Sequence, residues 1–93
     1  MRFVWDERKN RENLLKHGFG FEVASEVFRD PFCLLLGGRL HGNEVRYKTT
    51  GRLENLSLVV VIHTLVDREG ELVRIISARK ATPTERKSYE NQP

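Results

Sequence analysis

Cysteine is almost absent from this sequence. Cys33 stands alone, so no disulfide can close within the chain. It lies in the apolar run Phe32-Cys33-Leu34-Leu35-Leu36, where a packed thiol is expected rather than a nucleophile. A single unpaired cysteine suits a reducing compartment, and a cytoplasmic location is expected. Long hydrophobic runs are missing too. None approaches the ~20 residues that cross a bilayer, so no membrane partner is expected. The first residues lack the basic-then-apolar pattern of a secretory signal. No two histidines stand at i, i+4 and no cysteines cluster, so zinc-site spacing is absent and neither metal nor other cofactor is expected. There is no P-loop, no dinucleotide-binding glycine pattern and no serine in a nucleophile elbow, which sets aside three large enzyme classes. Internal repeats and low-complexity segments are also lacking.

What remains is a chain of 93 residues, read as one domain over 1–93. A core of this size hides only about 60–65% of the surface of the unfolded chain, so a partner would add appreciably to stability. Hydrophobic content of 39% against 31% charged fits a folded globular protein and not a disordered one. A net charge of +3 leans toward acidic partners such as nucleic acid or an acidic protein.

Local patterns set out the elements. Arg2 to Trp5 reads as a short strand. Asp6 is an N-cap for a helix from Glu7 to about His17, which Gly18 ends. Apart from Leu14 and Leu15 this helix is polar, and Lys9, Asn13 and Lys16 or His17 share one side of it. A second helix is expected from about Phe21 to Arg29, stopped by Asp30-Pro31. Phe32 to Leu36 reads as a continuous apolar strand, buried on both faces or against a partner, or else an exposed edge, and broken by Gly37-Gly38. Glu44 to Thr50 and the β-branched run Leu58 to Thr64 follow as strands. Asp67 to Gly70 connects the latter to a final strand, Leu72 to Arg79. Simple alternation in that strand puts Leu72, Arg74, Ile76 and Ala78 on one face and Val73, Ile75, Ser77 and Arg79 on the other. Thr82-Pro83-Thr84-Glu85 is a capping box with proline at the first helical position, opening a helix to about Asn91 with almost no aliphatic residues. That helix is expected to be frayed, loosely packed or completed by a partner. The expected class is α+β: β-α-α, then an antiparallel meander of three or four strands and a C-terminal helix.

The chemistry suggested by this order lies at the end of the last strand. Arg79-Lys80 leads straight into a capped helix carrying Arg86 and Tyr89. Cations at a strand end beside such a helix suit an anionic ligand, a phosphodiester above all. RNA brings its own nucleophile, the 2′-hydroxyl, so cleavage requires only a base, an acid and cations for the phosphorane charge. Each candidate also has a structural reading. His17 is placed where a cation favours a helix C-terminus. His63 alternates with Val59 and Val61, as a hydrogen-bonded core histidine would. His41 lies in a glycine-rich loop and should be exposed. Arg74 and Arg79 need solvent, a ligand or a carboxylate, with Glu85, Glu44 and Asp30 as possible partners.

Read end to end, the sequence resembles the BrnT toxins of BrnT–BrnA type II toxin–antitoxin pairs. The resemblance rests on Phe3-Val4-Trp5-Asp6, Lys9, Asn13, Lys16-His17-Gly18, Phe21-Glu22, Ala24, Val27-Phe28 and Asp30-Pro31. It continues through Glu44-Val45-Arg46-Tyr47, Gly51, Leu58 to Val61, His63-Thr64, Arg74 to Arg79, Ala81-Thr82, Glu85-Arg86 and Tyr89. It implies a RelE-like fold and a bacterial ribonuclease that blocks translation. It also implies a BrnA-like antitoxin partner, through which alone DNA would be contacted. Residues matching the family on the implied RNA-cleaving surface are Lys16, His17, Arg46, Arg74, Arg79, Arg86 and Tyr89. Together the two lines give Lys16, His17, Arg74, Arg79, Arg86 and Tyr89 as catalytic candidates, and Lys9, Arg46 and Lys80 as RNA-binding candidates. Leu65-Val66 stands where the family often has an aromatic and then a basic residue, and Cys33 to Gly42 matches it poorly. The alternative expectation is a non-catalytic module, a decayed toxin that binds nucleic acid or protein.

Overall fold

The computed structural model describes all residues from Met1 to Pro93. Strand β1 (Arg2–Trp5) leads to helix α1 (Glu7–His17). Helix α2 (Phe21–Ala24) tightens into a 3-10 turn (Ser25–Arg29). Then come β2 (Leu34–His41), β3 (Glu44–Arg52), β4 (Leu58–Leu65), β5 (Leu72–Lys80) and helix α3 (Pro83–Glu90). The class is α+β, as expected. The four meander strands are antiparallel, and β1 adds to β5 in parallel, giving one five-stranded sheet in the order β1-β5-β4-β3-β2.

Helix α1 starts where the Asp6 carboxylate accepts from the Arg8 and Lys9 amides, and it ends at Gly18 with φ +85°. Its leucines do not hold it down, since Leu15 is 87% exposed. Two asparagines do. Buried Asn13 donates to the Phe19 carbonyl (3.0 Å) and accepts from the Ala78 amide (3.0 Å), sealing the free edge of β5 beyond β1. Asn10 accepts from the Phe21 amide at 2.7 Å. An amide tether needs no apolar stripe, which explains a stable helix with so few aliphatics.

The core fills the space between one sheet face and α2 with its 3-10 extension. Phe21, Ala24 and Val27 pack on Val59, Val61, Val73, Ile75 and Ala78. Full burial of each larger apolar side chain is worth about 1.5–3 kcal/mol. The expected single helix to Arg29 loses its α form where Val27 crosses β3. A Cβ on Gly51 would stand 2.8 Å from the Val27 carbonyl oxygen, so only glycine admits this approach.

Two bulges correct the expected strands. In β2, Gly37-Gly38 does not break the strand. The register with β3 shifts between Leu36 and Arg39, and the strand continues to His41. Glycines that would end a strand at a turn are absorbed here by an irregularity on an edge strand. In β5, Ile62 pairs with Ser77 but His63 pairs with Ile75, so one extra residue is accommodated. Strict alternation fails there. Ala78 joins Val73 and Ile75 on the core face. Arg79 crosses to the other face, where its partner is Val60, alongside Arg74, whose partner is Thr64. Alternation had set Arg74 and Arg79 on opposite sides; the bulge puts them on the same side.

Helix α3 lies on that second face. Polar bonds dock it there. The capping box is complete, with Thr82 Oγ1 accepting from the Glu85 amide and Glu85 accepting from the Thr82 amide. Glu85 and Tyr89 face inward and are buried.

Candidate nucleic-acid interface

Glu85 organises the junction of β3, β5 and α3. Its two oxygens accept from Arg79 Nη1 (2.7 Å) and Nη2 (3.0 Å), and Oε2 also accepts from Lys48 Nζ at 3.0 Å. The Arg79 fork holds the Glu85 carboxyl well below the usual carboxylate range. Burial opposes this, while the Thr82 amide and Lys48 reinforce it. The same pairing raises the Arg79 pKa further. Arg79 is therefore a fixed cation; Nη1 also donates to the Lys80 carbonyl at 3.4 Å, and its other N–H groups make no bond within the protein.

Arg79 lies where two surface grooves meet. The larger, about 840 Å3, runs over the sheet face left open by α3. Arg39, Arg46, Lys48 and Arg79 supply its cations, His41 lies at the hairpin tip, and Leu36 and Ile62 help form its apolar floor. The smaller, about 410 Å3, follows the side of α1 along the free edge of β5 and is lined by Lys9, Lys16, His17 and Arg79, with Glu12 the acidic residue among them. So Lys9, Lys16 and His17, which share a side of α1 by spacing, face a groove in the fold.

The other candidates are placed elsewhere. Arg74 pairs with Glu44, and Glu44 also accepts from Arg46 Nε at 3.3 Å. The Arg74 bond, with Arg46 assisting, keeps the Glu44 carboxyl below its ordinary value. Arg74 thus borders the larger groove through a shared carboxylate and does not line it. Arg86 is exposed on α3 and Lys80 is exposed at the end of β5, and neither lines either groove. Tyr89 is buried, its hydroxyl donating to Asp30 Oδ2 at 2.5 Å beneath the Arg52 guanidinium. Burial and the Asp30 bond raise the Tyr89 pKa. Burial works against ionisation of Asp30, but bonds from Tyr89 and from the Arg52 and Phe32 amides outweigh it and lower its pKa. This contact ties α3 to the Asp30-Pro31 corner and lies apart from both grooves, so the structural role of Tyr89 is the one its contacts define.

The histidines separate cleanly. His63 is a core residue, as alternation suggested: Nε2 bonds Thr49 Oγ1 at 2.7 Å, and the ring lies against Phe28 and Tyr47. Burial lowers its pKa. His17 and His41 each line a groove. Sequence reasoning passed over Arg39 and Lys48 and read His41 only as an exposed loop residue. Lys48 carried a signal, since 44, 46 and 48 alternate to one face. Arg39 and His41 follow a glycine pair that reads as a strand break.

The family model described as "Ribonuclease toxin, BrnT, of type II toxin-antitoxin system" matches residues 5–85. The chain belongs to the BrnT family of ribonuclease toxins. The fold agrees. The crystal structure of the Brucella abortus ribonuclease toxin BrnT superposes with a TM-score of 0.66 at 25% identity, covering 88% of this chain and 97% of that one. No curated protein matches the chain by sequence. As a member of a type II toxin–antitoxin family, this BrnT-family chain implies an antitoxin partner. No helix is long and apolar enough to cross a membrane.

Proposed function

We propose that this chain is a metal-independent, RelE-like endoribonuclease that acts in the cytoplasm, cuts RNA, blocks translation and is silenced by a BrnA-like antitoxin. The observation carrying this reading is the meeting of the two cation-lined grooves at Arg79. A single RNA strand laid across both would exchange solvent and counterions for guanidinium and ammonium groups spaced along its backbone. Lys9 and Lys16 with His17 hold one stretch of phosphates; Arg46, Lys48 and Arg79 hold the next. Arg79 and its neighbours stabilise the charge that builds on phosphorus as the 2′-oxygen attacks. Arg74 orients Glu44 and thereby Arg46. Arg86 and Lys80 add charge at the flanks, and Tyr89 keeps α3 seated. Cleavage by this route leaves a 2′,3′-cyclic phosphate and a 5′-hydroxyl.

The antitoxin reading rests on the edge strand β2. Its outer side is unpaired, and Leu35, Leu36 and Leu40 on it are exposed, as is Phe32 just before it. A partner covering that edge would also close the larger groove.

The test is direct. Purified protein incubated with RNA in excess EDTA is expected to yield fragments ending in 2′,3′-cyclic phosphate. Intact RNA under those conditions, with cleavage restored by a divalent cation, would overturn the metal-free mechanism. Intact RNA under every condition would leave only the non-catalytic binding module.

A further inference from the structure

We infer that His41, at the tip of the β2–β3 hairpin, is the catalytic base of the cleavage reaction; this rests on the ribonuclease reading above. Three histidines are available in the chain. His63 is closed off in the core, its ring covered by Phe28 and Tyr47. His17 sits in the smaller groove, where Lys9 and Lys16 already supply charge and Glu12 stands nearby. Only His41 lies in the larger groove, with four cations around it.

The local fold explains why it is there. The β2 bulge at Gly37-Gly38 sets the register so that Arg39 pairs with Arg46 and His41 with Glu44. Cross-strand partners share a face, so Arg39, His41, Glu44 and Arg46 all project from the same side of the hairpin. Gly42, at φ +62°, and Asn43 turn the chain in two residues, which holds the tip close to the groove. The His41 side chain is exposed and makes no hydrogen bond to protein, unlike those of Arg79, Lys48, Arg46 and Tyr89. The charged groups facing it are Arg39 on its own strand, Glu44, Arg46 and Lys48 on β3, and Arg79 on β5; Glu85 on α3 is already engaged by Arg79 and Lys48.

An imidazole is the side chain best suited to accept a proton near neutral pH. In the step assigned to it, neutral His41 takes the 2′-hydroxyl proton as the 2′-oxygen–phosphorus bond forms. The phosphorus–5′-oxygen bond breaks, and the departing oxygen takes a proton from water. Arg46, Lys48 and Arg79 bear the phosphorane charge. Nothing is oxidised or reduced, and His41 returns its proton to solvent.

The experiment follows the pH dependence of kcat/KM on a short oligoribonucleotide for the wild type, His41→Gln, His41→Ala and His17→Gln. The wild type should lose rate as the pH is lowered. His41→Gln should lose about 10²–10⁴-fold in kcat together with that acidic limb. Added imidazole should restore part of the rate to His41→Ala. His17→Gln should raise KM and keep the limb. Thermal melting checks that each variant is folded. A His41→Gln protein that is folded, cleaves at the wild-type rate and keeps the acidic limb overturns the assignment while leaving the ribonuclease reading in place. A wild-type protein that cuts no RNA overturns both.

Discussion

Replacing Glu85 with alanine is expected to lower folding stability by about 2–4 kcal/mol, measured by urea denaturation at neutral pH. The change removes half of the capping box and strips Arg79 of both its carboxylate acceptors and Lys48 of its only one. It also leaves Arg79, 35% exposed at its side chain, as a partly buried cation without a counterion. The effect should depend on pH with a definite sign. In the folded chain the Glu85 carboxyl titrates below its value in the unfolded chain, the Arg79 fork being the main cause. Between those two values the unfolded state binds a proton that the folded state does not, so stability rises with pH. The contribution is complete above the ordinary glutamate range, near about pH 4–5, and is lost as pH falls through the lower folded value. The gap between wild type and Glu85→Ala should therefore narrow as pH drops from ~6 toward ~2. Asp30 and Glu44 are depressed as well, so the informative quantity is this gap and not the acid sensitivity of either protein alone. A gap that stays constant with pH would show that the carboxylate charge of Glu85 contributes nothing.

Replacing Arg79 with alanine should slow RNA cleavage by about 10²–10³-fold in single-turnover assays. Arg79 is the side chain shared by both grooves, and Glu85 fixes its direction before any ligand arrives. A preorganised cation does not have to reorient as charge builds on phosphorus, and that is where its catalytic value lies. Arg79→Lys should recover only part of the rate. A single ammonium can satisfy Glu85 or a phosphate but lacks the planar fork that engages both at once. Because either substitution also weakens the α3 junction, the assay belongs at a temperature where denaturation curves show each variant fully folded. A folded Arg79→Ala protein that cleaves at the wild-type rate would remove Arg79 from the mechanism.

The features legible in the sequence were those encoded within a few residues. Asp6 and Gly18 bound α1 and Thr82 to Glu85 opens α3, because caps act within one helical turn. The grouping of Lys9, Lys16 and His17 followed from helical spacing alone. The pairing of Arg74 with Glu44 and of Arg79 with Glu85 was foreseeable in kind, since an arginine in an apolar strand requires an acceptor. The unforeseen features depend on distant partners. Whether a strand bulges is decided by its neighbour, so the offset between Ile62 and His63 that brings Arg79 to the side of Arg74 has no local mark. Lys48 meets Glu85 across 37 residues of chain. Tyr89 meets Asp30 across 59, a contact with no local mark in the sequence. Gly37-Gly38 read as a break because glycine weakens a strand, but an edge strand with a bulge tolerates both. That misreading concealed Arg39 and His41, which the strand carries past the glycines into the larger groove.

The measurement that bears most directly on the central claim is a crystal structure with a 2′-O-methyl oligoribonucleotide, which binds as RNA does but cannot supply the attacking hydroxyl. The account predicts a backbone lying across the open sheet face, with phosphate oxygens within hydrogen-bonding distance of Arg46, Lys48 and Arg79 and a methylated 2′-oxygen beside His41. An oligonucleotide bound on the far side of the sheet, over α2, with those groups facing only solvent, would contradict it.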